Sequence, residues 1–98
     1  MSPIEEKIRN LRIPQLEVLK LIANSKDGLY SSKEISDTTG TSTYTLGALL
    51  TPLRRIKIDN KNLIIQSGRG IDDSIRWKIN EDLITRDDLK LLLIEMGI

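Results

Sequence analysis

A chain of 98 residues, 39% apolar and 30% charged, describes one globular domain with no room for a second independent core. It contains neither Cys nor His, which excludes disulfides, thiolate or imidazole metal sites, and nucleophile–base pairs built on either residue. The net charge of +1 hides an asymmetry: residues 80–98 hold two basic and five acidic side chains, a balance of −3, which leaves +4 on residues 1–79.

Ser2, Pro3 and Glu5 have the order of an N-cap, a first helical proline and an early acid, so a helix is expected to start there, with Ile4, Ile8 and Leu11 on one face. Pro14 opens a second helix whose stripe is Leu16, Leu19, Ile22 and Ala23, widened by Val18 and Leu21. Residues 24–28 are turn formers and end it, and Leu29 with Tyr30 is a short extended piece. Ser31 and Glu34 form a capping box for a short third helix that must stop at Gly40. Ser42 is the expected N-cap of a fourth helix running to about Ile56. Asp59, Asn60, Lys61 and Asn62 read as a turn. Residues 63–67 and 75–79 read as two strands, Ile75, Trp77 and Ile79 alternating with Arg76 and Lys78. The glycine-flanked residues between them form a loop with Arg69 near its tip. Thr85 and Asp88 start a last helix, and Gly97 ends it. The expected class is α+β, mainly α.

The longest apolar run, residues 91–94, is far shorter than the roughly 20 residues of a membrane span. Residues 1–12 carry charges throughout and lack a signal-peptide core, so the expected location is the cytoplasm, away from membranes. The acid pairs Asp72–Asp73 and Asp87–Asp88 are adjacent in sequence and therefore diverge, as solvated or capping residues do. No metal, cofactor or catalytic residue is expected, because nothing resembles a nucleophile with its base; an enzyme is the least favoured class.

The order helix, strand, helix, tight turn, helix, hairpin over residues 13–79 resembles the winged helix-turn-helix superfamily, as found in archaeal and bacterial transcription regulators. The residues that carry the resemblance are 32–46 (SKEISDTTGTSTYTL), then Leu49, Leu50 and Leu53. The resemblance implies duplex DNA as the partner and the fourth helix as the reading element, starting at Ser42 and Thr43. It also implies that the start of the third helix lies across a phosphate, where Ser31, Ser32 and Lys33 offer hydroxyls, N–H groups and a charge. Arg69 would reach a groove or the backbone from the wing, unless it is one solvated charge on a turn, and Lys61, Arg76 and Lys78 are generic phosphate-directed bases.

A helical wheel supports the same reading from the residues alone. Leu46, Leu49, Leu50 and Leu53 fall within about 100° of arc, a stripe for packing. The opposite side gathers Tyr44, Ala48, Thr51 and Arg55, flanked by Gly47 and Arg54, with no acid and no large aliphatic residue. Small residues admit a helix deeply into the major groove, their methyls meet thymine methyls, and Arg binds guanine bidentately. Pro52 opposes a regular helix, since it deletes the bond to Ala48 at a cost of about 3 kcal/mol. Either a kink or an end near Thr51 is expected, which leaves the aim of Arg54 and Arg55 open. A second reading gives the Tyr44, Ala48 and Thr51 face to a protein partner instead, with no specific DNA binding.

In the last helix Leu89, Leu92, Leu93 and Met96 form a packing stripe, while Leu91, Ile94 and Ile98 make a second apolar surface. A helix apolar on two sides is buried on both, which favours a homodimer through this surface, completed by the first helix. The alternative is a monomer in which both flanking helices fold back on the core. The combined expectation is a single domain, residues 13–79 as its core, acting as a dimeric, sequence-specific DNA-binding protein. A transcriptional regulator is favoured, and a plasmid- or virus-encoded factor such as a partition-site binder belongs to the same class.

Overall fold

Three local caps set where the helices start and how the chain turns between them. A computed structural model describes residues 3–70 and 73–98, the side chain of Thr43 excepted. Among these residues the chain forms five helices and five strands in the order α1 (Pro3–Arg9), α2 (Ile13–Asn24), β1 (Tyr30–Ser31), α3 (Ser32–Thr39), α4 (Thr43–Arg54), β2 (Lys57–Ile58), β3 (Lys61–Asn62), β4 (Ile64–Arg69), β5 (Ile75–Ile79) and α5 (Arg86–Glu95). The α+β class expected from the sequence is therefore present. The Ser31 and Thr85 hydroxyls accept the backbone N–H groups of Glu34 and Asp88, and the Glu34 carboxylate accepts the Ser31 N–H. The proposed cap of α1, Ser2, lies outside the described residues.

β1, β5 and β4 make one antiparallel sheet in that order, with Tyr30 opposite Trp77 and Ile64 opposite Ile79. The β4–β5 pairing becomes irregular between Gln66 and Arg69, where Gly68 takes a φ of 72°. Strand pairing continues to Arg69, so the connecting loop is shorter than the glycines suggested. A second correction concerns residues 57–62. Only Asp59 and Asn60 turn, both at positive φ, and Lys61 and Asn62 return as a strand against Lys57 and Ile58. A two-residue turn of that hand matches strand twist, and short polar side chains are those that tolerate it.

The core lies between the helices and one face of the sheet. α2 sits at its centre, packed on α5, α4 and β5, with Leu19, Ile22 and Ala23 fully buried. Both flanking helices fold back onto it: Ile4 and Ile8 of α1 are buried, as are Leu89, Leu92 and Leu93 of α5. Arg9 reaches Glu95 at 3.1 Å and ties the two together. No described helix is long and apolar enough to cross a membrane.

Arg86 closes the C-terminal end of α2. Its Nε donates to the Ala23 carbonyl at 3.2 Å and its Nη2 to the Ser25 carbonyl at 2.7 Å. Helix-end carbonyls lack intrahelical partners and carry partial negative charge, which a guanidinium satisfies on both counts. Gly28 makes room for it: a Cβ there would stand 2.8 Å from Arg86 Nη1, and its φ of 80° disfavours a side chain in any case. Arg86→Ala is expected to lower the unfolding free energy by about 1–3 kcal/mol in denaturant titrations, with Arg86→Lys restoring only part because a point charge cannot span both carbonyls.

Candidate nucleic-acid interface

α3 and α4 are joined by a turn that the sequence specifies residue by residue. Gly40 ends α3 in the left-handed region at a φ of 70°, and a Cβ there would meet nothing within 4 Å. Conformation rather than space is what requires glycine at this position. The Ser36 hydroxyl donates to the Thr41 carbonyl, and the Thr39 hydroxyl donates to the Ile35 carbonyl at 2.8 Å. The Ser42 hydroxyl then accepts the Thr45 N–H at 3.1 Å and starts α4. Ser42 is thus committed first to its own helix, and it also bonds the Thr45 hydroxyl.

α4 separates its two faces as the wheel predicts. Leu46, Leu50 and Leu53 are buried and Leu49 half-buried, on the side that meets α2 and α3. Tyr44 stands 93% exposed, and Gly47, Ala48 and Arg55 are exposed with it. Thr51 is half-buried and its hydroxyl donates to the Gly47 carbonyl at 2.8 Å, which leaves it only accepting capacity. Thr43 opens the helix.

Pro52 does not end the helix at Thr51, because α4 continues through it to Arg54. The residue that loses its partner, Ala48, sits on the exposed side, where water can serve its carbonyl. Arg55 still closes a bond to the Thr51 carbonyl at 3.1 Å. This continuation fixes the aim of Arg54. Its guanidinium carbon lies 5.5 Å from the Trp77 ring centre, within cation–π range, so the side chain turns to the sheet rather than to the Tyr44 face. Trp77 is itself held, its indole N–H donating to the Ser32 hydroxyl at 3.0 Å.

The remaining expected contacts divide by how far the domain already uses them. Ser32 accepts from Trp77 and stands 3.5 Å from the Ile75 carbonyl, so its hydroxyl is occupied inwardly. Ser31 is fully buried in its capping role. Lys33 pairs with Asp37 at 2.9 Å on the exposed side of α3. Lys61 is exposed on β3. Arg69 donates to the Asp73 carbonyl at 2.9 Å and lies 3.7 Å from its carboxylate, which holds the guanidinium within the hairpin. Asp72 lies outside the described residues.

A groove that the sequence did not disclose runs between the end of α4, the β2–β3 hairpin and β4. It encloses about 680 Å³ and is lined by Thr51, Arg54, Arg55, Lys57, Asn62, Gln66, Ile64, Ile65 and Trp77. Thr51 and Arg55 belong both to this groove and to the exposed face of α4. The signals for it were slight: a basic residue directly after α4, and Gln66 placed by alternation on the same sheet face as Trp77.

On α5, Leu91 and Ile94 are 65% and 70% exposed, whereas Ile98 is half-buried against the domain's own core. Among the described residues no group of three or more acids is placed to hold a metal ion. Compared with known proteins, the chain matches no family model, no curated protein and no solved structure. Replacing Gly40 by Ala should cost about 1–2 kcal/mol, read as a lower denaturation midpoint, and Gly40→Asn should cost less because Asn tolerates the left-handed region.

Proposed function

We propose that the chain is a winged helix-turn-helix domain that binds duplex DNA through α4, in the manner of a transcriptional regulator or another site-specific DNA factor. The observation that carries this reading is the outer face of α4. Tyr44, Gly47, Ala48 and Arg55 are exposed together, without an acid among them, on a helix set off from α3 by three residues. A helix that merely faces water gains nothing from a glycine and a nearly bare tyrosine. A helix entering the major groove gains close approach from Gly47 and Ala48, an apolar surface for thymine methyls, and a hydrogen-bonding tip from Tyr44.

The chain order α2, β1, α3, α4, β4, β5 and the sheet order β1–β5–β4 agree with the expected architecture, the β4–β5 hairpin standing as the wing. In that arrangement Tyr44 and Ala48 read bases, and Lys33, Lys61 and the N-terminal turn of α3 approach phosphates. Arg69 contributes only if it leaves Asp73, a modest loss for an exposed pair. The acids of α5 lie on a helix packed against α2, not on the reading helix.

The domain is proposed to act as a dimer, which would present two reading helices to successive turns of DNA. What supports it is Leu91 and Ile94, neighbours one turn apart on α5 that the domain leaves uncovered. α1 contributes Ile4 and Ile8 to its own core instead, and Ile98 does likewise.

Binding to duplex DNA should weaken steeply with salt, by about 0.9 in log affinity per log salt for each phosphate engaged. Fluorescence anisotropy over 50–200 mM salt measures this; no binding at the lowest salt would sink the DNA reading and leave the α4 face to a protein partner. Tyr44→Ala should keep the fold and lower the preference for a selected site over random duplex, by roughly 1–3 kcal/mol. For self-association, sedimentation of Leu91→Glu with Ile94→Glu should report a monomer where the parent chain reports a dimer. Equal masses would remove α5 from any interface.

A further inference from the structure

We propose that the groove between α4, the β2–β3 hairpin and β4 is a phosphodiester subsite, in which Arg54, Arg55 and Lys57 hold the backbone of the duplex beside the α4 reading face. The proposal rests on the DNA reading and adds to it a site formed by the small hairpin. Three cations converge on this groove, no acid lines it, and none of the three forms an ion pair among the described residues. Arg9, Lys33 and Arg69 each meet an acid at the surface, whereas these three face one space that no acid lines.

Two of the groove's features are fixed from within. Arg54 is laid over Trp77, and Trp77 is pinned by Ser32, so the guanidinium is ordered before any ligand arrives. Stacking leaves its N–H edge unused, and that edge is the part that matches a phosphate in a bidentate pair. Ile64, Ile65 and Trp77 supply an apolar floor that lowers the local dielectric and strengthens attraction to an anion. Asn62, opposite Lys57 in the hairpin, has a buried side-chain oxygen without a hydrogen-bond partner. Its amide is a neutral group able to donate to a phosphate oxygen while a bound water serves the oxygen.

Position selects the backbone of a polymer over a small free anion. The groove is an open trough, not a closed cavity, and it is continuous with the reading face through Thr51 and Arg55. Arg55 lies seven residues beyond Ala48, about 10 Å along the helix axis. That length is comparable with the major-groove width of roughly 12 Å. With Tyr44 and Ala48 against base edges, the end of α4 therefore comes to the groove's phosphate rim, where Lys57 and Arg54 wait on the far side of the helix.

The test compares the full chain with Lys57→Gln, and with Arg54→Gln combined with Lys57→Gln, by anisotropy on a selected and a random duplex from 50 to 200 mM salt. Lys57 is exposed in a two-residue strand, so the single variant keeps the test valid should the double variant unfold. Each phosphate contact removed should reduce the salt-induced loss of affinity over that range by about three- to fourfold, equally for both duplexes. Tyr44→Ala should do the reverse, lowering the preference between duplexes while leaving the salt slope unchanged. If the parent chain binds duplex and the glutamine variants keep its slope, the subsite is overturned and the DNA reading stands. If the parent chain binds no duplex, both fall. Saturable binding of inorganic phosphate that Lys57→Gln abolishes, with duplex affinity unaltered, would give the groove to a free anion and overturn the backbone assignment.

Discussion

The position of Trp77 is the constraint on which the candidate interface depends. This one residue joins four elements: its N–H is held by Ser32 at the start of α3, its ring is faced by Arg54 at the end of α4, and its backbone pairs with Tyr30 of β1 and Gln66 of β4. A buried indole must satisfy its single donor, and only one hydroxyl does so here. The same hydroxyl cannot also be offered freely to a phosphate. The placement of α4 against the sheet is thus held by an interaction that occupies the Ser32 hydroxyl and turns Arg54 to the ring rather than to the Tyr44 face.

Features legible in the sequence were those determined within four residues. Ser31 with Glu34, Ser42 with Thr45 and Thr85 with Asp88 are local caps, and Gly40 answers a local backbone requirement. The two faces of α4 followed from leucine spacing alone. Those that were not legible depend on partners far along the chain or on chemistry without a pattern. The small hairpin has strands of two residues and turns on Asp59 and Asn60, with neither glycine nor hydrophobic alternation to announce it. Pro52 left a kink or an end near Thr51 open because propensity counts the lost bond but not where the orphaned carbonyl lies. The groove required knowing that Arg54 turns inward, which depends on Trp77, a residue more than twenty positions away.

The charge distribution also takes on a different meaning in three dimensions. Asp87 and Asp88 occupy the first turn of α5, where carboxylates oppose the positive end of the helix dipole, and Glu95 meets Arg9 of α1. Much of the C-terminal acidity therefore serves the helix that carries it. Three cations outside the described ion pairs, Arg54, Arg55 and Lys57, gather at one end of α4 around a groove that no acid lines. A near-neutral total still permits a local excess of positive charge where bases gather without acids.

The Arg86 bridge to the end of α2 carries a consequence for how the chain is made. α2 is the hub of the core, yet the carbonyls of its Ala23 and of its C-cap Ser25 are served by a residue more than sixty positions downstream. During vectorial synthesis the hub emerges early and must wait, its end open, until the segment that closes it has cleared the ribosome. Until then the face of α2 that packs on α5 stays exposed. The domain is thus built to become stable late and all at once rather than turn by turn.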